Sequence, residues 1–267
     1  MFRRIVSKKN RALLAELVRT DFKLRYQGSV LGYAWSLLRP LLLFLILYIV
    51  FVEFLKFGKG IPHYPVYLLL GIVIWNFFTE MTNHSLGSIV GRGDLIRKIR
   101  IPRWIIILSS SVSALISLGL NLIVVVVFMV VNQVDLLKTS LLLPLIIFEV
   151  YILATGLSLF LSALYVKYRD ISYIWEVILQ AGFYLTPIIY PIALITNDTL
   201  QKLIMLNPMA QAIQSARWSA ISHETLTSYK VFGGGWYSYL PFFVVIAVFI
   251  SGLLYFKKRS RYFAEDI

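Results

Sequence analysis

The sequence predicts an all-α polytopic membrane protein, and three observations carry that prediction. The chain is 59% hydrophobic over 267 residues, and its apolar residues come in runs too long for strands or ordinary core helices. An α-helix needs roughly 20 apolar residues to cross about 30 Å of hydrocarbon, and six stretches reach that length. Barrel strands would be about half as long and would alternate in polarity, which these stretches do not. The net charge of +13 would suggest nucleic acid in a soluble chain, but here it sits between apolar blocks, so no nucleic-acid partner is expected. The absence of Cys excludes disulfides and thiolate metal sites.

In chain order, the segment 11–29, RALLAELVRTDFKLRYQGS, is amphipathic: Leu14, Leu17, Val18 and Phe22 share one helical face. Such a helix lies at the headgroup boundary; packing on a protein partner is the alternative. Gly28 allows a sharp turn into the first span. The spans run from about Tyr33 to Phe57, Tyr64 to Asn83, Trp104 to Val131, Leu141 to Val166, Ile171 to Pro191 and Tyr237 to Phe256. The expected organisation is one transmembrane domain over residues 1–267: an interface segment 1–30, a six-span core 31–257 and a cytoplasmic tail 258–267. No cleavable signal peptide is expected, because the first apolar block starts behind a polar segment and lacks a small-residue cleavage site after it.

Lys and Arg set the orientation. Nineteen lie in residues 1–32, 88–103, 167–170 and the tail, against six on the other side, while Arg39 falls inside the first span. Both termini are therefore expected in the cytoplasm. On that side GRGDLIRKIRIPRW (91–104) could be a topogenic loop, but Asp94 at its start and basic residues toward its end suit a short helix and its dipole. Leu95, Ile96 and Ile99 add an apolar stripe, which fits docking to a partner protein or a lipid-headgroup contact. On the opposite side, 199–206 (TLQKLIML) and 208–221 (PMAQAIQSARWSAI) are helical in pattern, too short to span, and split by Asn207 and Pro208. They predict a helical hairpin that lines or closes a pathway, with an ordinary loop as the alternative.

Catalytic signatures are missing. GKG at 58–60 does not make a phosphate-binding loop, His63, His84 and His223 lack metal-ligand spacing, and Gly-x-Ser-x-Gly is absent. Catalytic residues, metal and cofactor are all expected to be none on this chain. Charged residues within spans are functional candidates: Arg39 can snorkel, and Glu80, Glu149 and Glu176 face a wet pathway or pair with a basic group. Interfacial belts explain Tyr33 and Trp35, but not Trp75, Phe77 and Phe78 well inside the second span. With Phe183, Tyr184 and Tyr190 they form a candidate aromatic lining for sugars, whose C–H faces stack on rings; packing of the spans is the competing explanation.

Five pieces in order, RYQGSVLGYAWSLLRPLL (25–42), KIRIP (98–102), YRDI (168–171), TPIIYP (186–191) and Asn207-Pro208, carry a resemblance over nearly the whole chain. The sequence resembles the ABC-2 type permease subunits of bacterial exporters for lipid-linked polysaccharides: O-antigen, capsule and teichoic acid. That resemblance implies six spans, an interface helix, gate helices on the outer face between spans five and six, and a homodimer in the cytoplasmic (inner) membrane. Two copies of a separate ATPase, carrying ATP and magnesium, would dock beneath. Docking would use a coupling helix holding Arg92, Asp94, Leu95, Ile96, Arg97, Lys98, Ile99 and Arg100, with Tyr168, Arg169 and Asp170 as a second contact. Spans one and five would line the channel, an aromatic lining would guide the glycan, and Asn207 and Pro208 would sit at the outer gate. Export of a small lipid or drug, and an ATPase-independent glycosyltransferase or flippase, are the alternatives; the last would want clustered Asp residues at one face, where only isolated Asp21, Asp94 and Asp170 occur.

Overall fold

The computed structural model describes residues 8–25, 28–29, 31–56, 58, 60–98, 102–135 and 137–263. Regular structure among them is helical throughout. Five helical segments are long and apolar enough to cross a membrane, and Ile171–Leu185 is a shorter apolar helix.

The first helix, α1 (Lys8–Arg25), buries Leu17 and half-buries Leu14 and Val18. It packs on the third span rather than standing free; the side chain of Phe22 lies outside the described residues. Gly28 turns the chain at φ +76°, a region that favours glycine. Next comes α2 (Trp35–Tyr48), which continues through a π-helical turn to Phe54, a little short of the expected Phe57. Pro40 within α2 has no N–H for the Ser36 carbonyl one turn earlier. Asn121 of the third span donates to that carbonyl instead, at 3.2 Å.

At the centre stands α3 (Tyr64–Ser88), whose residues are buried along most of its length. It is apolar on every side, as a helix surrounded by others must be. After the short α4 (Gly93–Lys98), α5 (Trp104–Val131) packs on it through small polar residues. Ser109, Ser113 and Ser117 are buried there; the hydroxyls of Ser109 and Ser113 donate back to the carbonyls of Ile106 (2.8 Å) and Ser109 (3.0 Å) of their own helix. Glu80 accepts from Ser117 Oγ at 2.9 Å, so it contacts a neighbouring span rather than an open wet pathway.

The other edge pairs α6 (Leu143–Lys167) with the last helix, named α11 below (Leu240–Arg259). They cross where Gly156 meets Gly252: a Cβ on Gly252 would fall 2.1 Å from the Gly156 carbonyl oxygen, and one on Gly156 2.6 Å from Phe249 Cα. Close backbone approach of this kind replaces hydrophobic drive between helices in lipid. Between them in sequence, α7 (Ile171–Leu185) is only 15 residues long, about 22 Å. The expected fifth span thus ends as a helix at Leu185, and its last residues form bends. Then follow α8 (Asp198–Met205), α9 (Pro208–Ala220) and α10 (Ser228–Val231) before α11. The helical hairpin split at Asn207-Pro208 is present, but α9 is buried along most of its length rather than surface-lying.

Gly252→Leu is expected to destabilise the fold by about 3 kcal/mol through overpacking. Gly119→Ala, at a glycine with nothing within 4 Å of an added Cβ, should leave stability unchanged or slightly raised. Thermal melts of the two purified variants in one detergent check the pair.

Candidate functional site

Two regions hold the residues singled out by sequence: the face carrying both described chain ends, and the break between α7 and α9 at the opposite face.

On the first face, α4 begins at Gly93 with an exposed Asp94 in its first turn, as its dipole favours. Arg92 precedes it in a 3-10 turn and is not free for a partner. Its guanidinium pairs with Asp21 of α1 and donates to Ser109 Oγ of α5 at 3.3 Å. Ile96, expected to fill a partner's groove, packs on the chain's own cluster of Ile89, Ile106, Val166, Phe256 and Phe263. The side chains of Leu95, Arg97 and Lys98, and all of Ile99 and Arg100, lie outside the described residues. Arg103 donates to the Ser260 carbonyl and lies 5.9 Å from the Phe263 ring centroid, so the chain's last described turn is tied to the same loop. Tyr168, Arg169 and Asp170 form an exposed turn between α6 and α7, with Arg169 over the Tyr165 ring at 5.1 Å.

At the opposite face, four consecutive residues of the break are held from outside. Asn207 caps α9, accepting from Met209 N at 3.0 Å, while its Nδ2 donates to Thr186 Oγ1 at 3.2 Å. Arg217 on α9 donates to the carbonyls of Pro187 and Ile188, each at 2.6 Å, and its Nε to Tyr67 O at 3.0 Å. The Tyr64 hydroxyl donates to Ile189 O at 2.5 Å. Helix α7 has stopped, so these carbonyls have no helical donors; buried away from solvent, they need protein donors instead.

Arg217 has 0% exposure, although the charge count placed it in an outer loop. Its guanidinium carbon lies 3.5 Å from the centroid of the Tyr67 ring, a cation–π contact. Burial lowers its pKa from the ordinary value, with Tyr67 and Tyr64 opposing, and an arginine stays charged in such a setting. Space for it comes from Gly71, where a Cβ would fall 2.5 Å from Nη2. Sequence reasoning missed this residue; the available signal was an Arg as the single charge of its helix, nine residues after Asn207-Pro208.

The aromatic candidates divide. Trp75, Phe77 and Phe78 are buried at 7%, 3% and 5%. Trp75 meets Phe183 edge-on at 6.1 Å and Phe78 lies 6.3 Å from Trp175, so their faces are taken up by packing within the chain. Trp35 and Tyr184 are exposed at 45% and 68%. Tyr190 is half-buried and donates to the Tyr184 carbonyl at 3.2 Å. The side chain of Tyr33 lies outside the described residues. Arg39 is exposed, as snorkelling requires, and Glu176 is exposed on α7. No group of three or more metal-ligating side chains occurs among the described residues.

Five helical segments long and apolar enough to cross a membrane, a short helix on one face and a pinned helix break at the other are the architecture of a polytopic membrane protein. The chain belongs to the ABC-2 type transporter family, whose description matches residues 12–221. It is 30% identical over 254 residues to the O-antigen export system permease protein RfbA of Klebsiella pneumoniae, covering 95% of this chain and 94% of that protein. RfbA of Myxococcus xanthus is 30% identical over 216 residues, 80% of this chain and 81% of the relative. The polysialic acid transport protein KpsM of Escherichia coli is 24% identical over 243 residues, 90% and 91% of the two chains.

Arg217→Met should lower stability by about 3–5 kcal/mol, because it leaves buried carbonyls unpaired. Gly71→Ala, which pushes the guanidinium aside, should reproduce most of that loss, and the double variant should add little to either. Thermal melts of the three variants make the cycle; additive losses would show that the two residues act separately.

Proposed function

We propose that this chain is the membrane-spanning subunit of an exporter that moves a lipid-linked polysaccharide, of O-antigen or capsule type, across the bacterial cytoplasmic membrane. The observation that carries this is the match over 80% or more of the chain to two O-antigen export permeases and a polysialic acid transport protein. The chain would work as a homodimer with two copies of a separate ATPase, which would hold ATP and magnesium; this chain would hydrolyse nothing. Six crossings, with both termini in the cytoplasm, follow if α7 and the extended break after it together complete the fifth. The positions of α6 and α9 favour that path, since α9 packs beside the start of α6, at the end of α6 opposite Lys167. Exposed apolar side chains on α2 (Leu45, Ile46) and α7 (Tyr173, Val177) offer the dimer contact. Trp35, Tyr184 and Glu176 would then border the glycan path, while Trp75, Phe77 and Phe78 hold its wall together from behind. ATPase docking falls to Asp94, Arg97 and Lys98 on α4 and to the Tyr168-Arg169-Asp170 turn, with Arg92 and Ile96 anchoring α4 to the chain itself. Asn207, Pro208 and the break they pin make the outer gate.

In cells lacking their own permease, the chain with its ATPase is expected to restore surface polysaccharide. Reversing Arg97 and Lys98 to Glu should weaken ATPase co-purification about tenfold, the equivalent of ~1.4 kcal/mol, with the variant still inserted in the membrane. Normal surface polysaccharide together with unchanged co-purification in that double variant would overturn the docking assignment. An ATPase-bound complex that restores no polysaccharide would overturn the cargo.

A further inference from the structure

A second feature lies away from both the pinned break and α4. Between α6, α9, α10 and α11, at the face opposite the described chain ends, is a cavity of about 640 Å³. Its walls are apolar: Ile146, Ile152 and Val245 inside, with exposed Leu145, Phe242 and Ile246 framing the mouth. The apolar part of its mouth opens between two helices long enough to span a membrane, so bilayer lipid can reach it.

The cavity is not apolar throughout. Three of its lining residues each carry a buried polar atom with no hydrogen-bond partner among the described residues, Glu149 Oε1, Gln211 Oε1 and Ser238 Oγ, while the Glu149 carboxyl also meets the Gln211 side chain. Gln211 and Ser238 are 1% and 3% exposed. Gln211 Nε2 already donates to Ser215 Oγ at 3.1 Å, which leaves its carbonyl oxygen as the free end. Native proteins rarely leave such atoms unpaired, and a carboxylate oxygen removed from water wants a charged donor most of all. Lys230 also lines the cavity; it is exposed, and its ammonium uses one hydrogen bond, to His223 O at 2.7 Å.

We propose that this cavity binds a membrane phospholipid with a primary-ammonium head, of the phosphatidylethanolamine type. An ammonium brings three N–H donors to the three unpartnered acceptors at Glu149, Gln211 and Ser238. Lys230 matches the phosphate, and the apolar walls take the upper acyl chains. A trimethylated head has no N–H to give, and a glycerol head has no positive charge for Glu149, so the chemistry discriminates among common bilayer lipids. The site is separate from the proposed glycan path, and its test needs neither ATPase nor polysaccharide.

The test is native mass spectrometry of the purified full-length chain, titrated with dioleoyl-phosphatidylethanolamine, -phosphatidylcholine and -phosphatidylglycerol. Phosphatidylethanolamine should be retained about tenfold more than the other two, the weight of one charge-assisted hydrogen bond. Glu149→Gln should remove that preference, and Ile246→Trp, across the mouth, should reduce retention of all three lipids. Soluble glycerophosphoethanolamine, which lacks the chains, should not compete. Equal retention of the three lipids by the unaltered chain would overturn the proposal, as would an unchanged preference in Glu149→Gln. If Glu149→Gln does not fold, Ser238→Ala replaces it, with a partial loss of preference expected and no loss overturning. Competition by glycerophosphoethanolamine at the affinity of the lipid would overturn the assignment of the walls.

Discussion

The half of this protein away from the described chain ends depends on one arrangement: a buried guanidinium satisfying the backbone of a helix that stops early. Where α7 ends, the carbonyls of residues 186–189 have no helical donors. Arg217 supplies donors for two of those carbonyls and Tyr64 for a third, while Asn207 holds Thr186. Arg217 also bonds Tyr67 O of α3, so the same cation joins the central helix, the break and α9. None of these partners is a carboxylate. The charge is held by carbonyl dipoles and an aromatic face, which spares the chain a second buried ion.

Much of this architecture was legible in the residues. The apolar runs marked five long apolar helical segments closely and the position of the shorter apolar helix α7, and Asn207-Pro208 marked the split between α8 and α9. Periodicity could not show how the fifth run ends, because TPIIYP is as apolar as a helix and only its pinned carbonyls reveal the break. Burial within the chain was equally hidden. Trp75, Phe77 and Phe78 stand out in sequence, yet a helix buried on all sides gives its aromatics to packing. Arg217 was lost for the opposite reason: a charge outside the apolar runs reads as solvent-exposed, and only three-dimensional contact shows otherwise.

The face with the described chain ends teaches a related lesson about basic clusters. Its five Lys and Arg between residues 88 and 103 are not one uniform patch. Arg92 binds α1 and α5, and Arg103 binds the turn after α11. With Ile96 seated in the cluster around Phe263, the α4 segment is joined to the first helix, the third span and the last. Arg92, just before the start of α4, and Ile96 within it make that connection directly.

Pro40 has a consequence for how the chain is made. The Ser36 carbonyl that the proline leaves open is satisfied by Asn121, 85 residues further on. At a synthesis rate of ~5–20 residues per second, the acceptor leaves the ribosome about 4–17 s before its donor exists. During that interval the first hydrophobic helix lacks the contact that later joins it to α5. The pairing of those two helices is thus tied to the arrival of a later segment, and assembly of this part of the bundle is a cooperative event.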